Sequence, residues 1–438
     1  MPSGVIASKT FRVEQFRDPK LPEEKRRALE VAEAEPLDMS VAAVLSAAKA
    51  QTGLTDFGPA DFKERLGLLL SEVEADANVW RTAKAQFVGF CVKAAANRLK
   101  ARDFIERHPS IDDIAIDRPI FIVGLPRSGT THLENLIAAD RRLRYLPVYL
   151  GSEPVPAPGE ELGALGEQLG APGGQATAKD PRWTRSNAHW ERMRTNPIME
   201  ALHEHSPDHA CGENELQMPD FSTYQWEWMG DVPRWRDYYL AHDQTPHYAY
   251  GRTMLKAIAF QYVSERRWIL KGNQHSEQLP ALLRTYPDAF IVQTHRDPLA
   301  ILQSVLTMRG LAVLANQKKP NIEAHVAYWV DRIERMLRAY LRDYKAIPDD
   351  RRVDLLFQDI VADDIGSAQK VMAAAGLPTT SESTQDLRDY MAHHQRGRAG
   401  RVIYDLAGDF NLNLNDLRER FRFYTDVFPV RQEVKTNG

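Results

Sequence analysis

A short loop rich in hydroxyl side chains follows an apolar run near residue 120. The segment is Phe121-Ile-Val-Gly-Leu-Pro-Arg-Ser-Gly-Thr-Thr-His132, and the LENLIAA stretch after it has helical periodicity. In a strand–loop–helix unit, the loop N–H groups and the helix N-terminus point outward together and can bind an anion. Gly129 permits close approach of the backbone, and Ser128, Thr130 and Thr131 add hydroxyl donors. The loop therefore predicts a phosphate site.

The glycine spacing of this loop is that of a nucleotide-binding P-loop, G-x-x-x-x-G, with one departure. Thr130 stands where an ATPase has lysine, and the cation lies inside the loop at Arg127. ATP and GTP enzymes need that lysine at the β- and γ-phosphates, so ordinary nucleoside triphosphate hydrolysis is disfavoured. A glycine turn without a ligand is the alternative interpretation.

A second basic anchor is the segment Thr294-His-Arg-Asp-Pro-Leu-Ala-Ile-Leu-Gln-Ser304. Asp297 and Pro298 are typical of a helix start, so Arg296 lies at the end of the preceding strand. Ser304 follows eight residues later, about two helical turns on. A guanidinium and a hydroxyl so placed can hold a further phosphate, although Arg-Asp-Pro turns are also common as structural elements.

The segment His203-Glu-His-Ser-Pro-Asp-His209 raises the question of a metal. It is similar to the H-x-H-x-D-H pattern of dinuclear metallohydrolases, but one residue is inserted before the aspartate. No later ligand set stands at a familiar spacing, so we expect no metal site. Structural polar contacts are an alternative role for these histidines.

The elements that must position these residues alternate between two patterns. Short apolar runs predict buried parallel strands at RPIFIVGLP, at 267–272, at 289–295 and at 352–357. Helical stretches such as NIEAHVAYWVDRIERMLRAYLRDY lie between and after them. Alternating strands and helices indicate a three-layer α/β sandwich with a central parallel sheet, similar to P-loop nucleotide-binding folds, plus a helical N-terminal region.

Composition shifts divide the chain into four parts. The first part is charged and is expected to form an arm or a single helix outside the core. The α/β domain carries a lid-like insertion near 151–180, which is rich in Gly, Pro and Ala. The expected boundaries are 1–37 for the N-terminal arm, 38–117 for the helical N-terminal region, 118–428 for the α/β domain and 429–438 for the tail.

Charge and cysteine content exclude several classes of protein. Among 438 residues, 56 are Lys or Arg and 60 are Asp or Glu, so the formal net charge is −4 and no nucleic-acid partner is expected. Cys91 and Cys211 form no CxxC pattern, which excludes a disulfide scaffold or a zinc ribbon. The N-terminus meets charge before an apolar run develops, and no uncharged run approaches the roughly 18 residues of a membrane span. We expect a cytoplasmic protein without a membrane span.

Together these segments resemble the sulfotransferase superfamily, whose enzymes use 3′-phosphoadenosine 5′-phosphosulfate (PAPS), and most closely the bacterial branch with the PRSGTT loop. Further matches are TGLTDFG at 52–58, WILKGNQH at 268–275 and YPDAFIVQTHRDP at 286–298. The resemblance covers roughly residues 40–428. The absent γ-phosphate of PAPS agrees with the missing lysine, and its 3′-phosphate agrees with a second anchor.

The resemblance implies which residues hold the donor. Arg127 and Lys271 are implied as cations that stabilise the transition state, with a solvated strand-end lysine as the alternative for Lys271. A G-x-x-G segment that closes over the donor in related enzymes is similar to Gly397–Gly400. The implied donor-binding residues are Pro126, Arg127, Ser128, Gly129, Thr130 and Thr131 at the 5′-phosphosulfate, Arg296 and Ser304 at the 3′-phosphate, and Arg398 and Arg401 in the closing segment.

An acceptor hydroxyl benefits from a general base, and the sequence leaves that residue open. The candidates are His275, Glu153, His203 and Glu213. Related enzymes place a histidine after the lysine, as here at His275. Related bacterial sequences carry a glutamate near position 151, where this chain has Gly151. The resemblance places the segment of His203 at the acceptor pocket. The aromatic segment 221–240 suggests an apolar acceptor pocket or, as an alternative, core packing.

The function expected from these observations is sulfuryl transfer from PAPS to a hydroxyl, or an amine, of a small organic or lipid acceptor, without a metal. The alternatives are a P-loop nucleotide kinase, a non-catalytic nucleotide-binding protein, and a metallohydrolase built on His203, His205 and His209. The sequence identifies neither the acceptor nor the oligomeric state, and a homodimer stays open.

Overall fold

The computed structural model describes residues 9–160, 180–395 and 397–435. Most of the lid-like insertion expected near 151–180 lies outside the described residues, at 161–179. The strands are β1 (Thr10–Arg12), β2 (Ile120–Val123), β3 (Leu143–Arg144), β4 (Arg267–Gly272), β5 (Phe290–His295), β6 (Arg352–Leu356) and β7 (Arg401–Ile403).

Helices make up most of the remaining described chain. The α-helices are α1 (Glu23–Ala32), α2 (Val41–Thr52), α3 (Phe62–Ala75), α4 (Arg81–Arg107), α5 (Thr130–Ala138), α6 (Val148–Ser152), α7 (Pro181–Met193), α8 (Pro197–Leu202), α9 (Trp226–Met229), α10 (Pro233–Ala241), α11 (Thr245–Gln261), α12 (Leu279–Thr285), α13 (Pro298–Asn316), α14 (Ile322–Asp343), α15 (Phe357–Ala362), α16 (Asp364–Ala374), α17 (Ser381–His393), α18 (Leu406–Phe410), α19 (Leu414–Arg420) and α20 (Arg422–Thr425). The 3-10 helices are Pro109–Asp113, Glu213–Asp220, Asn273–Ser276, Tyr344–Ala346 and Asp349–Arg351.

The central sheet is parallel and has the strand order β3-β4-β2-β5-β6. Strand β2 lies in its middle, where Ile120 pairs with Ile269 of β4 on one side and with Phe290 of β5 on the other. The four strands predicted from apolar runs are β2, β4, β5 and β6, so the predicted parallel sheet is confirmed. Because β4, β2 and β5 are parallel neighbours, their carboxyl ends meet at one edge of the sheet.

Helices cover both faces of the sheet. The side chains of Phe121 and Val123 point into a cluster that includes α11 and α12. Ile120 and Ile122, which alternate with them along β2, point into a cluster built with α5 and α16. Since both faces are buried, β2 is apolar at every position. The predicted three-layer α/β fold is confirmed.

The helical N-terminal region is confirmed, while the arm before it belongs to the fold. Strand β1 pairs in parallel with β7, residue Thr10 opposite Arg401. Phe16 is buried against Phe410, with 4.9 Å between ring centroids, and contacts α13 beside Gly310. The expectation of an arm outside the core is therefore wrong for these residues. Val13 and Phe16 are buried in one core cluster, and two apolar residues in so short a segment leave no periodic pattern.

The aromatic segment 221–240 forms core rather than an acceptor pocket. Phe221, Trp226 and Trp235 are buried in one cluster with α2, α3 and α4. This cluster joins the helical N-terminal region to the α/β domain. The packing alternative for this segment is therefore the correct one for these three rings.

Helix α13 has the length and apolar composition of a membrane span. Its most apolar 18-residue window is 67% buried inside the protein, which is consistent with a helix of the core. Among the described residues it is the only helix that meets those two criteria.

A buried ion triad ties α14 to two other segments. Arg332 is fully buried, and its Nε lies 2.8 Å from Glu227 Oε2 while its Nη1 lies 2.5 Å from Glu277 Oε2. Both carboxylates are nearly inaccessible to solvent. Desolvation of the three charges is compensated only while all three remain together.

Replacing Arg332 with methionine should therefore leave two buried, unpaired carboxylates. We expect Arg332→Met to lower the free energy of unfolding by about 3–5 kcal/mol, measured by urea denaturation at pH 7.5. Arg335→Met is the matched control, because Arg335 is exposed on the same helix and pairs with Asp331 at the surface. An equal effect of the two substitutions would contradict this account of the triad.

Candidate active site

The loop after β2 is held in shape by its own contacts. Two observations favour glycine at position 129. Its φ of +89° is a conformation that other residues rarely adopt, and a β-carbon there would lie 3.0 Å from the Phe357 ring. Ser128 is inaccessible to solvent; its Oγ donates to the Leu125 carbonyl at 2.6 Å and lies 2.7 Å from Thr294 Oγ1. Helix α5 begins directly after Gly129 without a side-chain cap, so its first N–H groups have no partner within the helix.

The two anchors predicted from separate segments lie against each other. Arg127 Nε donates to Ser304 Oγ at 2.9 Å, and Arg296 Nη1 donates to the Arg127 carbonyl at 2.5 Å. The Tyr404 hydroxyl is 3.1 Å from Ser304 Oγ. Burial lowers the pKa of Arg127, and the nearby charge of Arg296 lowers it further. Two guanidiniums therefore converge where the loop meets α13, an arrangement that favours an anion.

Arg296 already holds a carboxylate of this chain. Its Nε and Nη2 each lie 2.7 Å from an oxygen of Glu433, and its guanidinium stacks on Phe357 at 3.9 Å from the ring centroid. The Glu433 N–H donates to Asp297 Oδ2 at 2.8 Å, and the Asp297 side chain also pairs with Arg418. The C-terminal segment therefore lies across the second anchor.

Lys271 is fixed at the loop rather than solvated. It lies in β4, is 5% exposed, and its Nζ donates to Thr131 Oγ1 at 3.0 Å. Glu134 of α5 stands 3.7 Å from the same nitrogen and is inaccessible to solvent. Burial raises the pKa of Glu134 to about 8, against the opposing effect of Lys271. The strand-end lysine thus directs its charge toward the first turn of α5.

The predicted histidine segment borders these cations. The His203 and His205 rings stack at 4.2 Å, and His203 Nδ1 donates to the Glu204 carbonyl at 3.0 Å, which leaves Nε2 as the unprotonated nitrogen. Burial lowers the pKa of His203 well below its ordinary value, and His205, Lys271 and Arg127 lower it further. The pKa of His205 falls to about 4 for the same main reason. Both rings are therefore neutral at pH 7.

The described residues include no group of three histidine, cysteine or acidic side chains arranged to hold a metal ion. His209 lies 3.9 Å from Glu204, and burial lowers the pKa of His209 to about 3. The metallohydrolase alternative therefore has no ligand cluster in the described part of the chain. The segment instead contributes neutral imidazoles beside the cations.

His275 lies in the core, away from the loop surface. It is inaccessible to solvent, its Nδ1 is 2.8 Å from the Tyr248 hydroxyl, and its ring meets the edge of Phe121 at a centroid distance of 5.3 Å. Its Nε2 is 3.6 Å from Glu213 Oε2. Burial lowers the pKa of His275 to about 3 and raises that of Glu213 to about 8. These positions do not favour either residue as the base.

The other candidates occupy ion pairs. Glu153 lies 3.2 Å from Lys100 Nζ and 2.8 Å from Arg185 Nη2. Burial alone would raise the pKa of Glu153. The hydrogen bonds and charges of these partners together have the larger effect, so the pKa is lowered. Arg398 pairs with Glu204 of the histidine segment. Arg401 begins β7 with an exposed side chain. Within the described part of the chain, neither arginine forms a hydrogen bond or an ion pair with Arg127, Arg296 or Ser304.

Some residues at the site carried no signal in the sequence. Tyr404 reaches Ser304 because β7 pairs with β1, and Glu433 reaches Arg296 because the chain end folds back.

A cleft of about 530 Å³ opens beside the histidine segment, between α7 and the residues around Arg398. Trp183 and Trp190, seven residues apart on α7, belong to its lining. Their spacing in the sequence could have predicted that the two tryptophans lie on one face of a helix. It could not have predicted that this face lies beside the histidine segment.

Comparison with known proteins agrees with this geometry. Residues 119–382 match the family model described as the sulfotransferase family, and the chain therefore belongs to that family. Sulfotransferase STF9 from Mycobacterium avium is 21% identical, with a TM-score of 0.79 over 92% of this chain and 100% of its own. Sulfotransferase STF1 from Mycobacterium tuberculosis H37Rv is 26% identical, with a TM-score of 0.72 over 87% and 98%. No curated protein matches the chain.

The burial of His275 predicts an effect on stability that depends on pH. In the unfolded chain this imidazole gains a proton as the pH falls through its ordinary value near 6.5, whereas in the folded chain it stays neutral down to about 3. Its contribution to stability is therefore lost as the pH falls. Between pH 7 and 5, this loss lowers the free energy of unfolding of the wild type by about 2 kcal/mol, because each pKa unit corresponds to about 1.4 kcal/mol.

His275→Gln should lower the free energy of unfolding at pH 7 and should also flatten its decline between pH 7 and 5. Urea denaturation at both pH values measures the two effects. His242→Gln serves as the control, since His242 is exposed at the end of α10. A decline as steep as that of the wild type would show that His275 is solvated in the native state.

Proposed function

We propose that this member of the sulfotransferase family transfers a sulfuryl group from PAPS to a hydroxyl, or an amine, of a small organic or lipid acceptor. The observation that carries the proposal is the contact between the two anchors. Arg127 bonds to Ser304 while Arg296 bonds to the Arg127 carbonyl. Phosphate groups at opposite ends of one adenosine ligand would then face a continuous basic surface. A cytoplasmic location and metal-independent transfer stay predictions, and the oligomeric state stays open.

Donor binding follows from the chemistry of the two anchors. The free N–H groups at the start of α5, with Thr130 and Thr131, suit the 5′-phosphosulfate. Pro126, Ser128 and Gly129 shape the loop, and Ser128 acts through the Leu125 carbonyl rather than through a free hydroxyl. Arg296 and Ser304 suit the 3′-phosphate. PAPS has no γ-phosphate, so its binding does not require the lysine that an ATPase has at position 130.

Catalysis follows from where charge develops. As the acceptor oxygen attacks sulfur, the bond between sulfur and the bridging oxygen of the 5′-phosphate breaks, and negative charge grows on that oxygen. Arg127 and Lys271 lie at the loop that would hold it, and both side chains are fixed by hydrogen bonds before reaction. Cations preorganised in this way stabilise the transition state more than the ground state.

Removing the guanidinium of Arg296 tests the donor assignment. We expect the wild type to bind 3′-phosphoadenosine 5′-phosphate (PAP), the spent donor, more tightly than ATP with magnesium. Arg296→Ala should weaken PAP binding about 10- to 100-fold, the range for loss of a charge-assisted hydrogen bond. Isothermal titration calorimetry measures both ligands. Arg335→Ala is the control, because Arg335 is an exposed helix residue.

Two results would count against the donor assignment. Preference for ATP with magnesium would favour the nucleotide kinase. Unchanged PAP affinity in Arg296→Ala would remove the second anchor from the site.

The carboxylate of Glu433 should compete with the donor. A 3′-phosphate at Arg296 must take over the two nitrogens that now contact Glu433. Glu433→Gln keeps the size of the side chain but removes its charge, so we expect PAP to bind about 3- to 10-fold more tightly. Glu419→Gln, in the exposed pair with Arg422, is the control. Weaker PAP binding in Glu433→Gln would instead mean that Glu433 orients Arg296 for the donor.

A further inference from the structure

A buried carboxyl group lies in α5, the helix that follows the loop after β2. Glu134 is inaccessible to solvent, and neither of its carboxyl oxygens forms a hydrogen bond within residues 9–160, 180–395 and 397–435. Buried polar groups without such a partner are rare, and ionising one in apolar surroundings is costly. The surroundings of Glu134 therefore favour its protonated form, and packing alone does not account for an acidic residue there.

Lys271 is the charged group that faces this carboxyl. Glu134 Oε2 lies 3.7 Å from Lys271 Nζ, which is longer than a hydrogen bond, whereas the same nitrogen donates to Thr131 Oγ1 at 3.0 Å. Lys271 itself is only 5% exposed. The cation thus stands between a hydroxyl of the loop and a carboxyl group that has no hydrogen bond.

The protonation state of Glu134 decides how much of the Lys271 charge the loop receives. Opposite charges at this distance attract far more strongly inside a protein than in water. An ionised Glu134 would therefore draw Lys271 Nζ toward itself and offset its charge. A protonated Glu134 leaves the lysine directed at Thr131, where an anion bound at the loop can use the full charge.

The other ionisable groups around Glu134 are neutral between pH 7.5 and 9. In the described chain they are Tyr145 after β3, Tyr390 of α17, and Cys211, each of which interacts electrostatically with Glu134. Burial raises the pKa of both tyrosines and of the thiol, so none of the three gains a charge in this range.

The charged groups on neighbouring elements have other partners or titrate at lower pH. Asp364 of α16 pairs with His132. Glu215 interacts electrostatically with Lys271, and burial raises its pKa to about 7. The three histidines of the 203–209 segment are neutral, because burial lowers the pKa of each. Comparing the wild type with a Glu134 variant at each pH therefore isolates the titration of Glu134.

The pKa of Glu134 falls in a range that an experiment can reach. Burial raises this pKa to about 8, against the opposing effect of Lys271. An anion at the loop would raise it further, because the anion competes for Lys271 and repels a carboxylate. Since coupling between two binding events is reciprocal, ionisation of Glu134 must weaken anion binding by the same factor.

We propose that Glu134 is a positioning residue that acts through Lys271: protonated, it leaves the lysine charge to the 5′-phosphosulfate, and ionised, it withdraws that charge and weakens donor binding. When PAP binds to the ionised form, one proton moves from solvent to the Glu134 carboxylate. This inference rests on the proposed function, since it requires the donor at the loop.

The test measures PAP binding to the full-length protein by isothermal titration calorimetry between pH 7.5 and 9. We expect the affinity of the wild type to fall by about 3- to 10-fold over this range, as for a pKa that rises by about one unit on binding. Glu134→Gln keeps the size of the side chain and stays neutral, so its affinity should vary by less than about twofold. Glu213→Gln is the matched control, because Glu213 is equally buried and has a pKa of about 8 but faces His275. This control should keep the pH dependence of the wild type.

Proton uptake by the wild type is a second measurement that needs no variant. At pH 8.5, titrations in buffers of different ionisation enthalpy should show uptake of about half a proton for each PAP bound. A wild type that does not bind PAP overturns the proposed function and this inference with it. PAP binding without proton uptake and with constant affinity overturns the role of Glu134 alone, as does an equal loss of affinity in Glu134→Gln.

Discussion

The hydrogen bond from Arg127 to Ser304 joins a loop and a helix that are 177 positions apart, and the site depends on it. It forms because β2 and β5 are adjacent and parallel, so that the segments after them leave the sheet side by side. In open α/β sheets, ligands bind at the carboxyl ends of such strands. Lys271, near the end of β4, adds a third cation from the other side of β2. Three neighbouring strands thus supply one charged cradle.

Few acidic groups offset this concentration of positive charge. Glu134 is fully buried, and its pKa of about 8 means that it carries little charge at pH 7. Glu433 pairs with Arg296 from the C-terminal segment. The histidines beside Lys271 are neutral. A bound dianion would therefore relieve repulsion among Arg127, Arg296 and Lys271, which is the physical reason that donor binding should stabilise the fold.

Sequence reasoning succeeded where local patterns carry the information. The strands β2, β4, β5 and β6 are continuous apolar runs, and the loop and the Arg296 turn are marked by glycine, proline and aspartate. Family membership follows from the same segments. The sequence patterns did not predict β3, β1 or β7, because strands of two or three residues show no periodicity.

The rest of the site depends on contacts between distant parts of the chain. Whether His275 lines a pocket or lies in the core is decided by Tyr248 and Phe121, which no spacing relates to it. Glu433 reaches Arg296 across 137 positions. The surroundings of these side chains are thus set by tertiary packing, whereas the loop after β2 is marked by a local sequence pattern.

A crystal structure of the protein with PAP would test most directly whether the two anchors hold opposite ends of one ligand. We expect the 5′-phosphate at the N–H groups of the first turn of α5 and the 3′-phosphate between Arg296 and Ser304, with the Glu433 carboxylate displaced. A nucleotide bound in the reverse direction, or seated in the cleft beside Trp183 with both anchors unoccupied, would contradict it.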